Sequence, residues 1–178
     1  MKIALLYPYS KISVQGCNPP ISVLYIGAYL KQSGNDVLVI DKDNGNLSNL
    51  DMLKILKDYS PDLIGLPLFA NTFLSAYQLV NQLISGGFKG KILIGGPHAG
   101  IAPREILKDF HGCDYILRGE AEYSIVELVR CIDGHHGLDS VNGLSYREGD
   151  RIVHNPDALP NMDLDTMLFP ALELLNKE

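Results

Sequence analysis

The sequence predicts a doubly wound α/β domain, Rossmann-like or flavodoxin-like, with a five-stranded parallel sheet and helices on both faces. Three observations carry this. Short, uniformly apolar runs recur along the chain, longer stretches of helical periodicity separate them, and the runs empty into loops rich in glycine and proline. A run apolar on both sides is a strand covered on both faces, which is how parallel sheets are buried.

Lys2 to Tyr7 reads as the first strand, followed by a helix whose Ile21, Leu24, Tyr25 and Ala28 share one face and which Gly34 ends. Asp36 to Ile40 is the second strand; Ser48 or Asn49 caps a helix over Leu50 to Tyr59, and Pro61 stops it. Asp62 to Leu66 is the third. The clearest helical stripe comes next, Phe73, Ala76, Tyr77, Val80, Leu83 and Ile84, closed by Gly86-Gly87. Lys91 to Ile94 is the fourth strand, Pro103 opens a shorter helix containing Ile106 and Leu107, and Asp114 to Leu117 is the fifth strand. Ile125, Leu128, Val129 and Ile132 mark the last helix. Beyond it, Leu144 to Arg147 and Arg151 to His154 flank Glu148-Gly149-Asp150 as a β-hairpin, and an extended, proline-punctuated tail follows from Asn155. The division expected is residues 1–133 as the Rossmann-like domain and 134–178 as hairpin and linker.

At 178 residues the chain has room for one domain and a sizeable core. A net charge of -6, with 15 scattered Lys and Arg, argues against nucleic acid as partner. No apolar run reaches the ~18 residues of a membrane span, and the start is strand-like, so a cytoplasmic location without a membrane partner is expected. Cys17, Cys113 and Cys131 are too widely spaced for a disulfide framework or a zinc site. His135 and His136 are adjacent and read as a solvated turn.

In an open parallel sheet, ligands sit beyond the carboxyl ends of the strands. The loops there carry the candidate contacts: Pro8, Tyr9 and Ser10 after the first strand, Leu68, Phe69, Asn71 and Thr72 after the third, Gly95, Gly96, Pro97 and His98 after the fourth, and Gly119, Glu120 and Glu122 after the fifth. Neither a Gly-x-x-x-x-Gly-Lys-Ser/Thr nor a Gly-x-Gly-x-x-Gly after the first strand is present, which removes the ordinary nucleotide readings. What remains is glycine, hydroxyl and amide with little charge, suited to a large flat organic ligand resting on backbone. His98 either touches the ligand or hydrogen-bonds a neighbouring loop. Glu120 and Glu122 either serve the site or complement a helix dipole. A free-standing enzyme with His98 and Glu120 as acid and base is a further reading, but no nucleophile with a nearby base can be named.

Pro19-Pro20 leading into Val23 to Leu30, then Gly34 to Val37, Pro61 to Gly65, Gly95-Gly96-Pro97-His98-Ala99 and Arg118-Gly119-Glu120-Ala121-Glu122 stand in an order that resembles the N-terminal cobalamin (vitamin B12)-binding domain of cobalamin-dependent radical S-adenosylmethionine enzymes. Gly143 to Arg147, Ile152 to Pro156 and the tail from Asp163 to Ala171 resemble the hairpin and linker preceding the catalytic barrel of that family. The resemblance implies cobalamin in this domain, with S-adenosylmethionine and a 4Fe-4S cluster only in the barrel, whose Cys-x-x-x-Cys-x-x-Cys motif this sequence lacks. The chain is therefore expected to serve methyl transfer or another radical reaction as a module, not to catalyse alone. No Asp-x-His-x-x-Gly follows the first strand, so the resemblance implies a displaced dimethylbenzimidazole tail and no protein histidine on cobalt. Gly95 and Gly96 would give that tail room, the Leu68 to Thr72 loop would line its other side, and Pro67 stands where a hydroxyl is common, leaving Asn71 and Thr72 as polar substitutes. The alternative is a docking or substrate-recognition domain of the same architecture that has lost cobalamin.

Overall fold

The computed structural model describes residues 1–8, 19–42, 44–71 and 73–175. Strands β1 (Lys2–Tyr7), β2 (Asp36–Asp41), β3 (Leu63–Pro67), β4 (Lys91–Gly95) and β5 (Tyr115–Leu117) pair in parallel, in the order β2-β1-β3-β4-β5. The five-stranded doubly wound sheet read from the sequence is thus present, but the sheet is larger. β6 (Leu144–Glu148) pairs antiparallel with β5, and β7 (Arg151–His154) pairs antiparallel with β6, giving seven strands. The hairpin extends the sheet because β5 would otherwise expose a row of unpaired N–H and C=O groups.

Side-chain alternation along the strands sorts the core into two layers. Ala4, Leu6, Ile64, Leu66, Ile92, Ile94 and Ile116 face helices α2 (Asn49–Tyr59), α3 (Phe73–Ser85), α4 (Pro97–Ile101) and α5 (Pro103–Asp109). Ile3, Leu5, Leu63, Leu93 and Leu117 face α1 (Ile21–Gln32), α6 (Ser124–Ile132) and the C-terminal tail. The helix boundaries follow the punctuation of the sequence. Ser48 forms a capping box with Asp51 at the start of α2. Ser60, in the left-handed region at φ 53, ends that helix directly before Pro61. The α4 turn was not apparent from the sequence; Pro97 at its first position and the Gly100 N–H donating to the Gly96 carbonyl at 3.0 Å close it.

The tail wraps over α1. The Ala171 N–H donates to the Leu24 carbonyl at 3.1 Å, Lys31 pairs with Glu173 at 2.5 Å, and Leu174 is buried to 1% exposure. Leu174 fills the notch left by Gly27, where a Cβ would lie 2.7 Å from its Cδ1. The tail thereby holds the helix that forms one wall of the site described below.

Arg118, the last position before the loop after β5, ties hairpin and tail to the sheet. It donates to the Leu144 carbonyl at 3.1 Å, the Asn155 carbonyl at 2.6 Å, the Asp157 carboxylate at 2.8 Å and the Ser145 hydroxyl. Nδ1 of His154 lies 2.8 Å from that same hydroxyl. Partial burial, then the charges of Arg118 and Arg104, hold the His154 pKa below its ordinary value, with Glu105 opposing weakly. A histidine whose folded pKa is depressed prefers to be neutral. Its contribution to stability is complete above its unfolded pKa and fades as pH falls through the folded one. The melting temperature is expected to drop between about pH 7 and pH 5 more steeply than in His154→Gln, as thermal scans at several pH values will read; coincident curves would contradict the assignment.

Candidate functional site

A cleft of about 370 Å³ opens at the carboxyl end of the sheet between α1 and α6. That volume lies within the ~300–1,000 Å³ of small-ligand sites. Strand alternation explains why it exists. Gly65 is in register with Leu5 on one side and Leu93 on the other, and Pro67 is in register with Gly95. Gly65 and Gly95 occupy the face that Leu63 and Leu93 use, so two side chains are missing from the layer under α1 and α6. At Gly95 the nearest neighbour of a built Cβ would be the Leu117 carbonyl oxygen at 3.9 Å, and at Gly119, with φ +73, nothing lies within 4 Å. The position at Gly65 is tighter, 3.0 Å from Leu5 Cδ2.

Leu5, Val23, Leu93, Leu117 and Ile125 form a buried apolar floor. Ser22, Glu120 and Glu122 supply the polar side chains among the lining, at exposed or half-exposed positions on the rim. No Lys, Arg or His lines the cleft among the described residues. Glu120 accepts the Asn161 N–H at 3.2 Å, and Asn161 Nδ2 donates to the Tyr123 hydroxyl at 3.2 Å, so the tail crosses this rim.

Of the residues singled out by sequence, Phe69, Gly95, Gly96, Pro97, Gly119, Glu120 and Glu122 line the cleft. Leu68 does not: its side chain is fully buried in the opposite layer, and its backbone is what matters, since its N–H donates to the Gly95 carbonyl at 2.8 Å and its carbonyl accepts the His98 N–H at 3.1 Å. His98 stacks on Phe73, with centroids 5.4 Å apart and planes at 24°, and is likewise absent from the lining, so His98 and Glu120 are not gathered as an acid–base pair. Pro8 is buried and Asn71 exposed, neither in the lining; Tyr9, Ser10 and Thr72 lie outside the described residues. Sequence reasoning missed Gly65 and the floor. The signal was available in the spacing Leu63-x-Gly65 and Leu93-x-Gly95, which puts both glycines on one face.

Gly96 has a different task from Gly95. Its φ is +86, and a Cβ would stand 2.9 Å from the Leu68 nitrogen and 3.0 Å from the Leu68 oxygen. Gly96→Ala is expected to cost ~1–3 kcal/mol and to lower the melting temperature by roughly 2–12 °C; an unchanged thermal scan would show that the two loops can separate freely.

The described residues contain no cluster of His, Cys, Asp and Glu able to hold a metal ion, and no helix long and apolar enough to cross a membrane. Burial drives the Cys113 thiol far above its ordinary pKa, so it stays protonated and unreactive.

A crevice at the carboxyl ends of a 2-1-3-4-5 parallel sheet, glycine-walled and with an apolar floor, stands where doubly wound domains bind their ligands. A model of the B12 binding domain matches residues 11–129, and the chain belongs to that family. It is similar to an uncharacterized methyltransferase of Pyrococcus horikoshii, 26% identical over 98% of this chain and 39% of that protein. It is also similar to the anaerobic magnesium-protoporphyrin IX monomethyl ester cyclase of Synechocystis, 27% identical over 83% of this chain and 30% of the cyclase. The chain thus spans well under half the length of these curated relatives. Among solved structures, the cobalamin-dependent S-adenosylmethionine radical enzyme OxsB with aqua-cobalamin bound superposes with a TM-score of 0.82, at 23% identity over 98% of this chain and 24% of that one. The radical S-adenosylmethionine methyltransferase TsrM from Kitasatospora setae, with cobalamin and a 4Fe-4S cluster bound, gives 0.70 at 16% identity, covering 94% of this chain and 31% of that one. At such identities the structural likeness establishes the fold.

Proposed function

We propose that this chain is the cobalamin-carrying domain of a longer radical S-adenosylmethionine enzyme and holds the cofactor by the dimethylbenzimidazole tail, inserted between α1 and α6. The observation that carries the reading is the cleft itself: the missing side chains at Gly65 and Gly95 leave a slot over an aliphatic floor, which a flat aromatic base fills with favourable burial. Gly119, Glu120 and Glu122 would border the tail where it leaves the slot. No histidine lines the cleft, and the sequence from residue 9 to 18 contains none, which supports a cobalt without a protein histidine below it. Bound in this way, cobalamin supplies a metal centre for methyl transfer or another radical reaction.

The partner implied is a catalytic barrel that brings S-adenosylmethionine and a 4Fe-4S cluster, with residues 134–178 as hairpin and linker towards it. Exposed apolar side chains support a contact of this kind: Leu159, Met162 and Phe169 on the tail are 89%, 88% and 91% exposed. A cytoplasmic site of action goes with this reading.

The test is to mix the purified domain with hydroxocobalamin, remove free cofactor by gel filtration and record the visible spectrum of the protein fraction. Stoichiometric colour with a base-off spectrum, unchanged in His98→Ala, is expected. A colourless protein fraction would turn the reading towards a docking domain that shares the architecture.

A further inference from the structure

We infer that the cleft discriminates among cobamides by their lower base, accepting an apolar planar base such as dimethylbenzimidazole and disfavouring adenine. This rests on the reading that the base enters the cleft. The division of the lining into floor and rim carries it. Leu5, Val23, Leu93, Leu117 and Ile125 are exposed to 6% or less, and none offers a hydrogen-bonding side chain. The backbone under the cleft is committed as well: Leu5 to Gly65, Gly65 to Leu93 and Leu93 to Tyr115 are partners in the sheet ladder, and Leu117 is paired with Leu144.

Adenine carries an exocyclic amino donor and several ring-nitrogen acceptors, which surrender their water on entering such a floor and find nothing in return. Dimethylbenzimidazole keeps a single free ring nitrogen and no amino donor, and it brings two methyl groups that gain from the same burial. Among the described residues, the polar side chains that might have satisfied adenine stand on the rim. Ser22 and Glu120 are exposed, Glu122 is half-buried, and one oxygen of Glu120 is already taken by the Asn161 N–H. A floor whose described side chains carry neither donor nor acceptor thus selects by penalty, leaving the less apt base unpaired.

Calorimetric titration of the domain with cobalamin, with its adeninyl analogue and with cobinamide, which has no base, tests this. Cobalamin is expected to bind about 10-fold or more tightly than the adeninyl cobamide, and cobinamide more weakly than cobalamin. Val23→Thr, which places one hydroxyl in the floor, is expected to narrow the ratio between the two complete cobamides, with a thermal scan confirming that the variant is folded. Equal affinity for cobalamin and adeninyl cobamide, both above cobinamide, would overturn base selection while leaving the base in the cleft. Cobinamide binding as tightly as cobalamin, or no corrinoid binding at all, would overturn this inference together with the proposal beneath it.

Discussion

Gly95→Leu is expected to abolish cobalamin retention while leaving the fold as stable as the parent or slightly more so. The two halves of that expectation have separate physical origins. For the fold, Gly95 lies at the end of β4 without the positive φ that would penalise a side chain, and the nearest atom to its Cβ would be the Leu117 oxygen at 3.9 Å. A leucine there enters open space over other aliphatic side chains, and glycine within a strand is itself unfavourable by about 0.5–1 kcal/mol. For the cofactor, an isobutyl group over Leu93 and Leu117 occupies the slot that the base needs, and overlap with a rigid aromatic ring has no low-energy relief. Gly95→Ala, which adds one methyl, should give an intermediate loss. Gel-filtration retention of hydroxocobalamin and a thermal scan of the same samples read both halves. Full retention by a folded leucine variant would mean that the tail does not pass beside β4. The contrast with Gly96→Ala is informative, because adjacent glycines are assigned opposite consequences, binding without stability at the first and stability through the loop contact at the second.

How far the sequence foretold this arrangement varies from residue to residue. The parallel strands and their helices were legible because each signal is local: the apolar runs Ile3 to Leu6 and Ile92 to Ile94, the cap at Ser48, the stop at Pro61 and the left-handed Gly34, with φ +84, after α1. The pairing of β6 with β5 was not, since a hairpin announces its own turn but not the edge to which it adds. Leu68 and His98 mark a second limit. Both sit in loops at the right end of the sheet, yet Leu68 turns into the core under α3 and α4, and His98 finds the ring of Phe73. A loop position fixes the backbone's neighbourhood, whereas a side chain's direction depends on φ and ψ that no motif declares. The floor of the cleft was hidden for the reverse reason. Leu5, Leu93 and Leu117 look like ordinary core residues, and only the glycines beside them convert core into cleft. The tail's destination depended on Gly27, a helical glycine whose role becomes visible when Leu174 is seen pressed into it.

Arg118→Ala is expected to be the most destabilising single change near the site, costing about 2–4 kcal/mol and roughly 4–16 °C in melting temperature, with cobalamin affinity falling several-fold as a secondary effect. The ion pair with Asp157 is not the reason. That carboxylate is 87% exposed, and an exposed pair contributes little. The Arg118 side chain, by contrast, is only 12% exposed, and it donates to two main-chain carbonyls, Leu144 and Asn155, and to the fully buried Ser145 hydroxyl. Truncation takes this donor from the buried Asn155 carbonyl and removes one of two partners from the Leu144 carbonyl, which keeps the Asn155 N–H at 2.9 Å, and from the Ser145 hydroxyl, which keeps His154 Nδ1 at 2.8 Å; a buried group left unmet costs more than a bond as ordinarily counted. Asp157→Asn should therefore be nearly neutral. Arg118→Lys should recover little, because a compact ammonium cannot span acceptors that a planar five-donor guanidinium reaches together. The link to binding is through the chain: Gly119 and Glu120, which border the cleft, directly follow Arg118, whose own N–H donates to the Gly143 carbonyl at 2.9 Å. Loosening that anchor widens the range of positions open to the rim, so affinity is lost through order and not through contact. Thermal scans of the three variants, paired with cobalamin titrations, separate the possibilities. Equal destabilisation by Arg118→Ala and Asp157→Asn would return the stabilisation to the ion pair, and unaltered affinity in a destabilised Arg118→Ala would uncouple the hairpin clamp from the cleft.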